Sequence, residues 1–311
     1  MTASSTGPFD AAPTLEARSP DGVVLALFEV RPAAEAAAAS RPTPPVAGAT
    51  PVAGPPPVAG ATPRPALLLV HGATADHTTW RTVGPAFAAT RRAFAVDRRG
   101  RGASGDAPAY AIEREYADMA AAAEAIAKTT DGPVDVAGHS YGGRVALGAS
   151  LLTPTIRRIV VYEGAPVPPG MSYRPPGMVE VVREALEAGD NETALATFLA
   201  GIVGMSEAAL DAYRADPVWP TRVAAAPTIL REVEAEASAA ASLDALGSVT
   251  ARVLLILGSI SRSPFRIGTD ELASRLADAR VVIVTGAAHA AHHTHAPEFV
   301  RAVEAFLDAE A

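Results

Sequence analysis

Residues 134–142, with the sequence VDVAGHSYG, decide the fold of this chain. The apolar run Val134–Ala137 is typical of a buried strand, and Gly142–Leu151 is typical of a helix. A Gly-x-Ser-x-Gly sequence between them is typical of a sharp turn that exposes the serine hydroxyl at the positive end of the helix. The flanking glycines tolerate the strained backbone of such a turn. Ser140 is therefore a candidate nucleophile, and an ordinary turn from strand to helix is the alternative.

The composition excludes several classes of protein and of active site. A chain of 311 residues can bury the core of one large domain with an inserted subdomain. The net charge of −8 and the lack of a dense Lys/Arg block argue against a nucleic-acid partner. The absence of cysteine excludes disulfides, thiol catalysis and cysteine metal sites. We predict nothing about the oligomeric state.

The hydrophobic residues are spread in short runs along the chain. No apolar run approaches the roughly 20 residues that span a bilayer, and the N-terminus lacks the apolar core of a signal peptide. We therefore expect a soluble cytoplasmic protein that has no membrane partner and takes a small-molecule substrate.

The N-terminal part combines two predicted strands with a segment of low complexity. The strands are predicted at Thr14–Arg18 and Val23–Val30, around a turn. Residues 31–65 consist mostly of Pro, Ala, Gly, Val and Thr, and the sequence PVAGATP occurs twice in them. We interpret this segment as a disordered or flexible insertion between two strands.

Strands and helices then alternate along most of the chain. The further predicted strands are Ala66–Val70, Ala93–Val96, Val134–Ala137, Ile156–Tyr162, Val253–Leu257 and Val281–Val284. The helices predicted between and after them are Thr79–Ala89, Glu113–Lys128, Gly142–Leu151, Thr269–Ala277 and Ala296–Leu307. Because the strands are nearly continuous apolar runs, the pattern predicts an α/β fold. We expect a mostly parallel sheet of about eight strands, flanked by helices.

The alternation is interrupted between Gly164 and Ser248. This region has no convincing strand, and four helical stretches are predicted in it: Met178–Glu187, Asn191–Val203, Glu207–Arg214 and Thr228–Ala241. We predict that residues 164–248 form an inserted helical cap. Residues 1–163 and 249–311 would then form the core domain.

A serine nucleophile needs a base that accepts its proton. His289 lies in the loop after the last predicted strand, Val281–Val284, and is the candidate base. His292, His293 and His295 follow closely and raise the possibility of a metal site. No other cluster of ligands accompanies them, so we favour solvated histidines or histidines at the rim of a pocket. The sequence also lacks a dinucleotide or phosphate-binding glycine pattern, and we expect no metal and no cofactor.

Acyl transfer also needs two N–H donors for the oxyanion of the transition state. The residue after the nucleophile, Tyr141, supplies one main-chain candidate. Ala73, in the loop after the predicted strand Ala66–Val70, supplies the other.

Together these segments resemble the α/β-hydrolase superfamily. The segments that carry the resemblance are Val70–Ala73, Asp97–Ser104, Gly138–Gly143 and Gly286–His289, in the order typical of the superfamily, and the resemblance extends over about residues 14–307. It implies the α/β-hydrolase fold, a serine nucleophile and the chain order Ser, acid, His. His71 and the segment Asp97–Ser104 are then expected to brace loops.

The acid departs from the commonest pattern of the superfamily. The loop after the strand before the last, residues 258–265, has no carboxylate, and the next one is Asp270. Other members place the acid after the strand that follows the nucleophile helix, and Glu163 occupies that position here. Glu163 is our preferred acid. Asp270, or a Ser–His pair without an acid, stays open.

Three functions are compatible with these residues. The first is a serine hydrolase that cleaves an ester, lactone, thioester or amide of a small molecule through an acyl-serine intermediate. The second is a lyase, a cyclase or a carbon–carbon cleaving enzyme of secondary metabolism on the same fold. The third is a non-catalytic ligand-binding module. In each case we expect Trp219, Tyr173 and Phe198 of the cap to bind the ligand, although each could instead be packed inside the cap.

Overall fold

A computed structural model describes residues 7–33 and 64–310. Most of the insertion predicted at residues 31–65 lies outside the described residues. The eight strands are β1 Leu15–Arg18, β2 Val24–Glu29, β3 Ala66–Val70, β4 Ala93–Val96, β5 Val134–His139, β6 Ile156–Tyr162, β7 Arg252–Gly258 and β8 Ala279–Val284.

The eight strands form one sheet in the order β1-β2-β4-β3-β5-β6-β7-β8. β1 and β2 pair antiparallel, β2 pairs antiparallel with β4, and all the other neighbours are parallel. The prediction of a mostly parallel sheet of about eight strands is confirmed. The direction of the strand order reverses at β3 and β5, and open α/β sheets bind ligands at the carboxyl ends of the strands beside such a point.

Twelve α-helices accompany the sheet within the described residues. They are α1 Gly84–Ala88, α2 Ile112–Thr130, α3 Tyr141–Ser150, α4 Met178–Glu187, α5 Asn191–Phe198, α6 Glu207–Arg214, α7 Trp219–Ala224, α8 Ile229–Ala235, α9 Leu243–Gly247, α10 Ser263–Ala273, α11 Ala291–Thr294 and α12 Ala296–Leu307. No helix in the described ranges is long and apolar enough to cross a bilayer.

The two faces of the sheet are covered by different helices. In β3, Leu68 and Val70 belong to the apolar cluster that includes α2 and α3. Leu67 and Leu69, which point the other way, belong to the cluster that includes α1 and α12. Because successive side chains of a strand alternate between faces, a wholly apolar strand such as β3 is buried on both.

The chain between β6 and β7 builds a third apolar cluster from α4 to α8. The last helix of this connection, α9, packs instead on the main core through Leu243 and Leu246. Two of its helices, α7 and α9, were not predicted. Pro220 lies in the first turn of α7, where a proline is tolerated because its missing N–H would have no helical partner.

Several boundaries differ from the prediction for local reasons. The helix predicted at Thr79–Ala89 is a 3₁₀ turn, His77–Arg81, followed by α1, which begins at Gly84 with Pro85 in its first turn. The helix predicted at Thr269–Ala277 begins earlier, at Ser263, again with a proline in the first turn. The predicted helix Asn191–Val203 changes to a π turn at Leu199–Val203. A proline in the first turn favours the starts of α1 and α10, and a change of hydrogen-bond spacing ends α5.

The turn between β5 and α3 is packed so closely that its second glycine cannot carry a side chain. A Cβ atom at Gly142 would lie 2.4 Å from the carbonyl oxygen of His71 and 2.5 Å from that of Val70. Both atoms belong to the backbone of β3 and its following loop, which cannot move aside as a flexible side chain would. The glycine therefore fixes the distance between α3 and the loop after β3.

We expect Gly142→Ala to lower the free energy of unfolding by about 1–3 kcal/mol, the usual cost of overpacking, although alanine favours a helix. Thermal unfolding followed by circular dichroism measures the change. Gly132→Ala is the matched control, because the nearest atom to a Cβ there is 4.0 Å away. Equal melting temperatures for the two variants would contradict the proposed close approach.

Candidate active site

Ser140 lies on a strained turn between β5 and α3. Its backbone angles are φ 54° and ψ −125°, a conformation that residues other than glycine rarely adopt. The turn is held from both sides, since Ser140 N–H donates to the Tyr162 carbonyl at 2.8 Å and the Ser140 carbonyl accepts from Gly143 N–H at 2.9 Å. The turn therefore places the Ser140 hydroxyl at the carboxyl end of the sheet, beside the N-terminus of α3.

His289 and Glu163 form a buried hydrogen bond next to this turn. Nδ1 of His289 lies 2.7 Å from Oε2 of Glu163, and the side chains are 6% and 0% exposed. Because a carboxylate accepts, the hydrogen of a neutral imidazole lies on Nδ1, and Nε2 keeps its lone pair. Nε2 makes no hydrogen bond to any described residue, so it is available as a base.

The second oxygen of Glu163 is also held by the protein. Oε1 accepts from Gly258 N–H at 2.8 Å and from the hydroxyl of Ser261. Gly258 ends β7, Ser261 lies in the loop after it, and β7 neighbours β6 in the sheet. Glu163 itself has a left-handed backbone, with φ 48°. The loop that lacks a carboxylate therefore supplies hydrogen-bond donors to one from the adjacent strand.

The loop that carries His289 is fixed by a tyrosine that the sequence did not point to. The hydroxyl of Tyr162, the last residue of β6, donates to the Ala288 carbonyl and accepts from Ala291 N–H at 2.8 Å. Tyr162 directly precedes Glu163, so one strand end holds both the base and its carboxylate partner. For this role of Tyr162 the sequence contains one signal, an apolar strand that ends in Tyr-Glu.

Asp270, the other acidic candidate, lies apart from this pair. It is exposed on α10, and the described residues show no hydrogen bond between it and His289. The geometry therefore brings together Ser140, His289 and Glu163, and it leaves Asp270 in solvent.

Two main-chain N–H groups next to Ser140 have no acceptor among the described residues. They belong to Ala73 and Tyr141. Tyr141 is the first residue of α3, where N–H groups have no partner inside the helix. Ala73 follows Gly72, whose backbone is so close to the turn that a Cβ atom there would lie 3.1 Å from Cβ of Ser140. Both groups can therefore donate to an oxygen atom bound beside the serine.

A cavity of about 410 Å³ opens at the site, and Ser140, His289 and Ala73 line it. The β6–β7 connection supplies an apolar wall. The residues of this wall are Phe198, Leu199, Ile202, Val203 and Met205. Polar side chains also line the cavity, among them Arg81, Asp216 and Arg222. A cavity of this volume accommodates a small organic molecule.

The three aromatic residues expected to bind a ligand have different positions. Phe198 lines the cavity. Tyr173 borders a smaller cavity of about 30 Å³ that Ser140 and Glu163 also line, and its hydroxyl donates to the Ala165 carbonyl. Trp219 is a correction: it does not line the cavity but is packed in the apolar cluster of α4 to α8, with its ring 5.5 Å from that of Tyr213. The large apolar area of the indole ring favours its burial inside this cluster over exposure at the cavity.

Of the histidines that follow His289, His292 is buried, whereas His293 and His295 are partly exposed. His292 is 2% exposed, lines the cavity with His293, and has its ring 4.5 Å from that of His139. Burial lowers the pKa of His139 and His292 well below its usual value, and burial together with Arg81 lowers the pKa of His293 to about 4. These rings are therefore neutral near pH 7. No group of acidic or histidine side chains in residues 7–33 and 64–310 is arranged to hold a metal ion.

Comparisons with known proteins agree with this fold. The model of the alpha/beta hydrolase family matches residues 67–303. A pimeloyl-[acyl-carrier protein] methyl ester esterase from Neisseria meningitidis serogroup B is 29% identical over 263 residues, which cover 77% of this chain and 92% of that protein.

Solved structures are similar over almost the whole chain. An alpha/beta hydrolase from Sphaerobacter thermophilus has a TM-score of 0.68 and 24% identity, with 93% of this chain and 99% of that chain covered. The enol-lactonase from Burkholderia xenovorans has a TM-score of 0.65 and 18% identity, with 97% and 100% covered. At such identities the likeness concerns the fold. The family model, in contrast, spans most of the sequence, and the chain therefore belongs to the alpha/beta hydrolase family and is a hydrolase enzyme.

Proposed function

We propose that the chain is a serine esterase that hydrolyses an ester of a small organic molecule through an acyl-serine intermediate. The observation that carries the proposal is the hydrogen bond between Glu163 and Nδ1 of His289, next to a serine on a strained turn. Ser140 and Glu163 follow the neighbouring strands β5 and β6, and His289 lies in the loop after β8. The esterase names of the relatives from Neisseria meningitidis favour an ester over the other acyl compounds.

In the first half of the proposed reaction, Oγ of Ser140 attacks the carbonyl carbon of the ester. Nε2 of His289 takes the hydroxyl proton, and Glu163 stabilises the resulting imidazolium. The N–H groups of Ala73 and Tyr141 donate to the oxyanion of the tetrahedral intermediate. When this intermediate collapses, the bond to the alcohol oxygen breaks. His289 returns its proton to that oxygen, and the alcohol leaves an acyl group on Ser140.

The second half repeats these steps with water in place of the serine. His289 takes a proton from the water as its oxygen attacks the acyl carbon, and the same N–H groups hold the oxyanion. The bond to Oγ of Ser140 then breaks, and His289 returns the proton to Oγ. The products are one carboxylic acid and one alcohol, and the enzyme is regenerated.

We further propose that residues 164–248 act as a cap that sets the size of the substrate. Phe198 and Ile202 of this segment line the cavity together with Ser140 and His289. Because their side chains are apolar, they favour the hydrocarbon part of an ester. The volume of about 410 Å³ limits the enclosed part of the substrate to a small molecule.

We expect a fluorophosphonate probe to label the protein at Ser140, as peptide mass spectrometry would show. Ser140→Ala should abolish both the label and the hydrolysis of p-nitrophenyl esters, because the variant has no nucleophile. Ser150→Ala is the matched control, since Ser150 ends the same helix and its hydroxyl donates only to the Leu147 carbonyl. A folded protein that resists the probe, or a Ser140→Ala variant that retains activity, would refute the proposal.

The choice of acid has its own test. Glu163→Gln preserves the shape of the side chain but removes the charge that stabilises the imidazolium, so we expect kcat to fall by about 10²–10⁴-fold. The substrate KM should change much less. Asp270→Asn is the control, and it should retain the activity of the original protein because Asp270 is exposed. The reverse order of the two effects would identify Asp270 as the acid.

A further inference from the structure

Two adjacent arginines after β4, Arg98 and Arg99, are both completely buried. Arg99 forms ion pairs with Asp118 and Asp21. Arg98 forms ion pairs with Glu115 of α2 and Glu232 of α8. Each guanidinium thus has two carboxylate partners. Of the two, Arg98 also contacts the residues around the N–H groups of Ala73 and Tyr141.

The first of these contacts is to the carbonyl group of Gly72. Nη2 of Arg98 lies 3.3 Å from this oxygen, and Nδ1 of His71 lies 2.8 Å from it. Nε2 of His71 accepts from the backbone N–H of Arg98 at 3.0 Å, so the ring hydrogen is on Nδ1 and is donated to Gly72. Burial and the charge of Arg98 lower the pKa of His71, which keeps this ring neutral. Two donors therefore converge on one carbonyl oxygen.

Holding the Gly72 carbonyl also sets the direction of the next N–H group. The carbonyl of Gly72 and the N–H of Ala73 belong to the same peptide unit. All peptide bonds in the described residues are trans, and in a trans peptide these two groups point in opposite directions. With its oxygen held by Arg98 and His71, the peptide directs the Ala73 N–H the other way. Ala73 lines the cavity together with Ser140.

The second contact of Arg98 is to Tyr141, which supplies the other free N–H group. The guanidinium carbon lies 4.9 Å from the centre of the Tyr141 ring, within the range of a cation–π contact. The Tyr141 hydroxyl lies 3.0 Å from that of Tyr110, which donates to Glu115 at 2.6 Å. One buried side chain thus contacts the loop after β3 and the first residue of α3.

Glu232 links this arrangement to the connection between β6 and β7. Its Oε1 accepts from both Arg98 and Arg101. With Glu115, the cluster holds two guanidinium groups and two carboxylates, so its charges balance. Without Glu232 the buried cluster would have an uncompensated positive charge, which is costly in a protein interior. The position of α8 therefore affects the guanidinium that holds the Gly72 carbonyl.

We propose that Arg98 is a positioning residue for the oxyanion site and that Glu232 couples this site to the seating of α8 on the core. The inference rests on the proposed esterase function. In this proposal the buried ion pairs of Arg98 and Arg101 do more than join α2 and α8 to the loop after β4. They also orient the oxyanion donors. Neither side chain lines the cavity. Arg98 acts through the peptide between Gly72 and Ala73 and through Tyr141, and Glu232 acts through Arg98.

The test compares Arg98→Lys with Arg99→Lys. Lysine keeps the charge at either position but loses the planar fork that bonds several acceptors at once. Two quantities are measured with each variant: kcat and KM for a p-nitrophenyl ester, and the inhibition constant of a trifluoromethyl ketone. This ketone forms a tetrahedral adduct with the serine, so its affinity reports on the oxyanion donors.

For Arg98→Lys we expect kcat to fall by about 10–10²-fold, less than the loss of a whole oxyanion donor, with KM within about threefold. The affinity for the ketone should fall by a similar factor. Arg99→Lys should lower the melting temperature by a comparable amount and leave kcat and the ketone affinity unchanged. Equal kinetic effects of the two variants, or a loss of kcat without a loss of ketone affinity, would overturn the inference.

A second pair of variants covers the case in which a lysine variant does not fold. Glu232→Gln and Asp118→Asn each replace one buried carboxylate by an amide of the same shape. The first should lower kcat and ketone affinity, and the second should not; equal values for both would also overturn the inference. Labelling of the original protein distinguishes a failure of the esterase proposal from a failure of the positioning role. If it is not labelled at Ser140, the esterase proposal fails, whereas normal labelling with unaffected Arg98 and Glu232 variants refutes only the positioning role.

Discussion

The hydrogen bond between Glu163 and Nδ1 of His289 is the interaction on which the proposed chemistry depends, because it decides which imidazole nitrogen can act as a base. The parallel sheet brings these two residues together, because the carboxyl ends of its strands lie at one edge. Glu163 directly follows β6, and its second oxygen accepts from Gly258 at the end of β7 and from Ser261 in the loop after β7. The loop after β8 brings in His289. A carboxylate with both oxygens satisfied stays fixed, so the ring it binds stays fixed as well.

The same constraint explains how Glu163, the acid that we propose, serves the site from the end of β6. A carboxylate at the end of β6 can reach the histidine loop only if the β7 loop leaves room for it. The end of β7 and this loop have glycine and serine at the two positions that contact Glu163, and both donate hydrogen bonds to it. We propose a comparable part for the Arg98 cluster at the loop after β3. Two buried networks then support the site around Ser140, one built around a carboxylate and one around a guanidinium.

Much of this arrangement could be predicted from the sequence, because it depends on local patterns in chain order. The strands, the turn at Ser140 and the positions of His289 and Glu163 follow from apolar runs and from the order of motifs. The environment of long side chains could not be predicted in this way. Trp219 is packed within its own cluster, and Arg98 is completely buried, because partners distant in sequence decide where such groups lie. The short helices α7 and α9 were missed for a related reason, since prolines and tertiary packing define them.

The position of the hydrogen on the His289 ring tests the central claim most directly. Long-range ¹H–¹⁵N correlation spectra of the ¹⁵N-histidine-labelled protein distinguish the two ring nitrogens, and His289→Gln identifies the signal. In the neutral form of the ring we expect the hydrogen on Nδ1 and a lone pair on Nε2, and Glu163→Gln should disturb this tautomer. A ring that carries its hydrogen on Nε2 in the original protein would contradict the account, because the nitrogen assigned as the base would then have no lone pair to accept the proton of Ser140.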